Sequence, residues 1–216
     1  MTEADYIPAL RFRWLTRLYD PIVRVTTREA TFKRALLAQV HPQPGQGLLD
    51  VGCGTGTLAI ALKQAEPRAE VVGLDGDPAV LSTAASKASA AGTQVTWQQS
   101  LSTHMPFADG QFDTVVSSLF FHHLQRDVKL TTLREIHRVL RPAGELHIAD
   151  WGQASNAVMR FMFLTVQFLD GFATTRDHVN GLMPEFVARA GFVDVIQTRT
   201  FDTPVGTPTL WRAHRP

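Results

Sequence analysis

Cysteine is nearly absent from this chain: Cys53 is the only one among 216 residues. That excludes an intrachain disulfide framework and any cysteine-rich metal centre. Charge of either sign is also missing in net terms, since 21 Lys and Arg face 20 Asp and Glu. A nucleic-acid polyanion therefore has no electrostatic case as the main partner. No apolar run approaches the roughly 18 residues of a spanning helix. The first residues, M-T-E-A-D, are acidic and carry no apolar signal core, so a cytoplasmic protein without a membrane span is expected. A hydrophobic content of 44% against 19% charged residues is ordinary for a globular protein, and the length suits one substantial core.

What is present is concentrated between residues 48 and 60. Leu48-Leu49-Asp50-Val51 reads as a buried strand, Gly52-Cys53-Gly54-Thr55-Gly56 as a loop with glycine at every second position, and Thr57 onward as a helix start. Such a loop lets a ligand approach the backbone without meeting a Cβ, and the helix behind it aims unpaired N–H groups at the same place. The dinucleotide pattern G-x-G-x-x-G would need glycine at position 57, where this chain has Thr57. Asp50 beside the loop would oppose a pyrophosphate and attract an ammonium group. Of the common adenosine cofactors, S-adenosylmethionine carries that ammonium and no phosphate. Asp75 follows Gly56 by 19 residues at the end of the next strand, the place from which a carboxylate accepts hydrogen bonds from ribose hydroxyls.

The segment D-V-G-C-G-T-G resembles motif I of the class I S-adenosylmethionine-dependent methyltransferases. Three further segments fit that family in order and spacing: V-V-G-L-D-G-D-P at 71–78, M-P-F-A-D-G-Q-F-D-T-V-V at 105–116 and R-V-L-R-P-A-G-E-L-H-I-A-D at 138–150. The nearest likeness is to the small-molecule branch that includes ubiquinone and menaquinone biosynthesis methyltransferases. The resemblance implies an α/β, Rossmann-like three-layer α/β/α sandwich, with a seven-stranded, mostly parallel sheet holding one antiparallel strand, N-terminal helices and a helical lid insertion. A single domain over 1–216 is expected, made of an N-terminal helical cap (1–44), a cofactor-binding core (45–151), a helical lid (152–182) and a C-terminal helix with β-hairpin (183–216).

On this resemblance the cofactor is S-adenosyl-L-methionine, held by Asp50, Gly52, Cys53, Gly54, Asp75, Gly76, Leu101, Ser102 and Ser118, with Tyr19 closing over it from an N-terminal helix. Two positions depart from the family: Leu101 stands where an adenine-binding aspartate is usual, and Gly76 where a bulky apolar residue is usual. Leu101 is expected to pack against the adenine, and backbone groups near Ser102 to read its edge. His122 and His123 follow the fourth strand and Asp150 the fifth, outside the C-terminal ends where ligands bind in open α/β sheets. A histidine there is suited to hydrogen-bond an acceptor hydroxyl and take its proton, or else it fixes the loop beside the cofactor. Asp150 is either an acceptor-orienting group or a loop cap. No metal role is assigned.

The pattern further predicts an amphipathic helical stretch over 6–40 broken at Pro21, helices over 78–91 and 130–140, and strands at 94–99, 112–118, 145–149, 193–201 and 210–213. The segment 157–172 is apolar on nearly every face, which suits a core helix, the wall of an apolar acceptor pocket, or a subunit contact. Residues 174–180 are polar and read as a loop, with Arg176 and His178 as acceptor contacts. The expected activity is methyl transfer to a small, apolar acceptor. The alternatives are a catalytically silent cofactor-binding or interaction protein, and a nicotinamide-dependent oxidoreductase.

Overall fold

The computed structural model describes residues 29–154, 159–160, 172–203 and 206–216. Its strands are β1 (Gly47–Val51), β2 (Glu70–Asp75), β3 (Thr96–Gln99), β4 (Phe112–Ser118), β5 (Leu140–Trp151), β6 (Val193–Thr200) and β7 (Pro208–His214). The helices among the described residues are α1 (Glu29–Val40), α2 (Thr57–Ala65), α3 (Pro78–Ala90), α4 (Arg126–Val139), α5 (Phe172–Val179) and α6 (Met183–Arg189), with a 3₁₀ turn at Phe121–His123. The strands form one sheet in the order β3-β2-β1-β4-β5-β7-β6. Only β7 runs against its neighbours, pairing antiparallel with β5 and β6. The seven-stranded, mostly parallel sheet with one antiparallel strand is the expected architecture.

β1 sits at the centre, parallel to β2 on one side and to β4 on the other. Its successive residues Leu48 and Leu49 point to opposite faces, and both are fully buried. Leu48 packs with Phe32, Leu36, Leu58 and Leu62 of α1 and α2. Leu49 packs with Leu133 and Ile136 of α4 and Phe186 of α6. A strand covered on both faces needs an unbroken apolar run, which is why L-L-D-V lacks polar alternation. The direction of winding reverses between β1 and β4, so the crevice for a ligand opens at their C-terminal ends.

Most boundaries follow local chemistry. Asp77 caps α3 by accepting the Ala79 N–H at 2.7 Å, and Pro78 supplies its first turn. β3 starts at Thr96 rather than 94. α4 starts four residues earlier than the apolar spacing suggested, and Pro142-Ala143-Gly144, between the expected helix and strand, lies inside β5. The β4–β5 register steps from Phe112↔Leu140 to Thr114↔Glu145, so those residues are taken up as an irregularity in which Ala143 has φ 60°.

Residues 172–179 correct the expected loop: they form α5. Their polarity has an internal cause, because Thr174, Thr175, Asp177 and His178 are all buried, Thr174 and Asp177 against Lys129 and His178 against the Trp151 carbonyl. The N-terminal stretch before Glu29, with Tyr19, and the apolar segment 157–172 apart from Met159, Arg160 and the start of α5 lie outside the described residues. Among the described residues no helix is long and apolar enough to cross a membrane.

Candidate active site

After Val51 the chain turns over the end of β2, where the N–H groups of Gly52 and Cys53 both donate to the Leu74 carbonyl, at 2.9 and 3.0 Å. Gly52 and Gly54 both take positive φ, 70° and 52°, but for different reasons. A Cβ on Gly52 would lie 2.3 Å from the Phe120 ring, so the loop is pressed against the segment that follows β4. A Cβ on Gly54 would meet no atom of the described residues within 4 Å, so among them this face of the loop is open. From behind, Trp97 of β3 fills the space that side chains at Gly56 and Gly73 would need, with approaches of 2.4 and 2.5 Å. Lys87 of α3 fastens the loop by donating to Thr57 Oγ1 at 2.7 Å and Thr55 Oγ1 at 3.3 Å. The Cys53 thiol is buried against Gly73, and burial, with the Asp50 and Asp75 carboxylates, raises its pKa so that it stays an inert thiol.

Two carboxylates flank this loop. Asp75 Oδ2 accepts the Gly54 N–H at 2.9 Å and Oδ1 accepts the Asp77 N–H at 3.0 Å. Each oxygen keeps a further lone pair. Asp50, 1% exposed, has an Oδ2 without a hydrogen-bond partner among the described residues. Burial pushes its pKa up to about 7, against the opposing pull of Lys33 and of the Ala59 N–H, with Asp75 adding to the rise. Gly76 follows Asp75, half-buried, on the way to α3. Beyond β3, Leu101 is 49% exposed, whereas Ser102 is buried and its hydroxyl shares a hydrogen bond with Thr132 Oγ1 at 2.8 Å. At the end of β4 the Ser118 hydroxyl is buried and, among the described residues, unpartnered.

The strands β4 and β5 end in a denser polar cluster. Leu119 takes φ 53°, a left-handed conformation that costs a non-glycine residue about 1–2 kcal/mol. Asp150 holds the turn that follows: its Oδ2 accepts the N–H groups of Phe120 and His122, and its Oδ1 accepts the Trp151 N–H and His122 Nδ1, both at 2.7 Å. Burial by itself would raise the Asp150 pKa, but the His122 and His178 imidazoles and these donors hold it well below the carboxylate range. An ionised Asp150 fixes His122 Nδ1 as a donor. His123 stacks against His122 at 3.9 Å between ring centroids, and burial followed by that neighbour pushes its pKa down to about 3.

α5 is pinned beside this cluster. Lys129 of α4, fully buried, donates to the Thr174 carbonyl at 2.6 Å and lies 3.4 Å from Asp177, which also pairs with Arg126. His178, also fully buried, donates from Nδ1 to the Trp151 carbonyl at 2.8 Å.

The structure therefore brings Asp50, Gly52, Cys53, Gly54, Asp75 and Gly76 together around one loop, and His122, His123 and Asp150 around the neighbouring strand ends. Leu101 and Ser102 stand after β3, Ser118 at the end of β4, and Arg176 is exposed while His178 is not. Tyr19 lies outside the described residues. Phe120, Trp97, Lys87 and Lys129 were not singled out from the sequence. Lys129 did leave a signal, since it shares helical spacing with Thr132, Leu133 and Ile136, all buried.

A glycine loop at the switch point of a parallel sheet, with the carboxylates of Asp50 and Asp75 beside it, defines a class of α/β protein that binds a nucleoside-type cofactor. A family model described as a methyltransferase domain matches residues 48–144. Demethylmenaquinone methyltransferase of Thermus thermophilus is 36% identical over 145 residues, covering 65% of each chain. The ubiquinone/menaquinone biosynthesis C-methyltransferase UbiE of Cereibacter sphaeroides is 30% identical over 134 residues, covering 61% of this chain and 53% of that one. The chain thus spans less than two thirds of the length of either relative. A crystal structure of an S-adenosylmethionine-dependent methyltransferase from Aquifex aeolicus shares the fold, with a TM-score of 0.62, 20% identity, and coverage of 84% of this chain and 87% of that one. Residues 48–144 thus match a methyltransferase domain, and the fold is the one seen in S-adenosylmethionine-dependent methyltransferases.

The residues fit the cofactor of that family. The open face at Gly54 leaves room for it, Asp75 has lone pairs for a ribose diol, and the unpartnered Asp50 Oδ2 suits an ammonium group.

Proposed function

We propose that the protein transfers the methyl group of S-adenosyl-L-methionine to a small, apolar acceptor of the quinone-precursor kind named in its relatives. The observation that carries this reading is the pair of acids about the open loop, Asp50 with a spare buried oxygen and Asp75 tied to Gly54. In this reading Asp75 takes the ribose hydroxyls, Asp50 the ammonium, Gly52, Cys53, Gly54 and Gly76 form the backbone wall, and Ser118 Oγ adds a polar contact. Leu101 covers the adenine and Ser102 serves through its backbone, since its hydroxyl is already paired. Tyr19 closes the site from the N-terminal cap.

When bound, the sulfonium supplies an activated methyl group, so no metal or covalent enzyme intermediate is required. The protein's task is alignment in a dry site, which is worth up to about 7–11 kcal/mol for well-oriented reactants. Asp150, with four hydrogen bonds already accepted, acts as a positioning residue that holds the 119–122 turn and the His122 ring. His123, neutral at physiological pH, lies beside that ring for hydrogen bonding to the acceptor. The single-domain arrangement and a cytoplasmic location belong to the same reading, supported by the lone cysteine. A nucleic-acid substrate is disfavoured by the near-zero net charge.

Isothermal titration with S-adenosylhomocysteine and with NAD tests the cofactor: binding of the first and not the second is expected. Incubation of a metabolite extract with methyl-labelled cofactor then tests turnover. Binding without any labelled product would favour the silent cofactor-binding alternative.

A further inference from the structure

His178 sits on α5, over the C-terminal end of β5, with no part of its side chain exposed. Its Nδ1 lies 2.8 Å from the Trp151 carbonyl. A carbonyl only accepts, so Nδ1 carries the ring proton, and in the neutral ring Nε2 is a bare lone pair. That nitrogen is buried and has no partner among the described residues. Burial, outweighing the attraction of Asp150, pushes the pKa of His178 down to about 4, which keeps the ring neutral at physiological pH. The ring stands perpendicular to His122, 6.2 Å away between centroids, and Asp150 Oδ1 is 3.9 Å from Nδ1.

A buried acceptor left without a donor is costly, so such atoms are normally satisfied by something. The other unpartnered buried atoms near the cleft, on Asp50 and Ser118, lie at the ends of β1 and β4, on the cofactor side. His178 lies one strand farther along, on the side left for the acceptor. The missing partner has to donate a hydrogen bond. A carboxylate, an ether and an oxidised carbonyl are therefore all excluded as its complement.

Resting on the proposed methyltransferase reading, we propose that His178 Nε2 receives the hydrogen bond of an acceptor O–H and so selects hydroxyl-bearing acceptors over their ethers. The Trp151 carbonyl sets the tautomer, and the Arg126–Asp177–Lys129 pin holds the helix that carries the ring. His178 binds and orients; the low basicity of its ring suits it to accepting this hydrogen bond without taking the proton.

The test uses the full chain saturated with S-adenosylhomocysteine, whose binding is measured first. Failure of that step overturns the methyltransferase reading itself. The probes are 1,4-naphthohydroquinone, kept reduced with dithionite, and 1,4-dimethoxynaphthalene, which has no O–H to donate. The hydroquinone is expected to bind about tenfold more tightly, and His178→Leu to remove that preference while leaving the S-adenosylhomocysteine affinity unchanged. Equal binding of the two probes to the unmutated protein overturns the inference, as does a preference that survives in His178→Leu. Should His178→Leu fail to fold, ¹⁵N NMR of the unmutated protein decides: the His178 Nε2 resonance moves upfield with the hydroquinone and stays in place with the diether. A resonance unmoved by both overturns the inference.

Discussion

Asp75 joins three things at once: the loop through Gly54, the α3 entry through Asp77, and in the proposed reading the ribose. Removal of its carboxylate in Asp75→Ala is expected to weaken S-adenosylhomocysteine binding about 10- to 100-fold, since hydrogen bonds to a charged group are worth about 1.5–3 kcal/mol. Titration calorimetry on the folded variant checks this, and an unchanged affinity would remove the ribose assignment. Two neighbouring glycines make opposite forecasts. Gly54→Ala places its methyl in open space and costs only the left-handed backbone term of about 1–2 kcal/mol, so the melt should shift little while cofactor binding is lost. In Gly52→Ala the methyl meets the Phe120 ring, so overpacking of about 1–3 kcal/mol is added and stability should fall first. Paired melts and titrations of the two variants separate a ligand-facing position from a packing position.

At the scale of elements, α5 depends on a buried charge network more than on an apolar stripe. Lys129→Met leaves Asp177, 3% exposed, with only the Arg126 guanidinium, which is largely in solvent. Loss of one partner from a buried pair costs about 3–5 kcal/mol, and a fall in melting temperature of matching size is expected, with faster proteolysis near residues 172–182. A melt unchanged from the parent would mean that the pin carries no stability. This network also explains what the sequence concealed. The strand, loop and helix from Leu48 onward were legible because burial on both faces of β1 and the glycine spacing leave marks in consecutive residues. So were β2 with Asp75, and the Asp77-Pro78 helix start. α5 was not, because Thr174, Asp177 and His178 look like loop residues until Lys129 and Trp151, far away in sequence, are seen to face them. The candidate site divides the same way: Asp50 and Asp75 could be placed by motif and spacing. The subscription of Asp150 by four donors, and of Ser102 by Thr132, belongs to tertiary contacts that no spacing encodes.

Over the whole molecule, the buried titratable groups pull the pH dependence of stability in opposing directions. His123 and His178, with pKa values pushed down to about 3 and about 4, bind fewer protons folded than unfolded below about pH 6.5, so their contribution to stability rises with pH across that interval. Asp50 does the reverse. With its folded pKa near 7 against 3.8 unfolded, the folded chain holds the extra proton between those values, so stability falls as pH rises through them. Asp50→Asn removes only this contribution. The variant is therefore expected to gain in melting temperature relative to the parent as pH rises from about 4 to about 7, and to hold that gain above. The same proton reports on the cofactor. An ammonium brought to Asp50 Oδ2 favours the carboxylate, so S-adenosylhomocysteine binding at about pH 6 should release close to one proton, and far less at about pH 8. Calorimetry in buffers of different ionisation enthalpy measures that release directly, and Asp50→Asn should abolish it. Binding heats independent of the buffer at about pH 6 would mean that the ammonium is held elsewhere, while cofactor binding as such would stand.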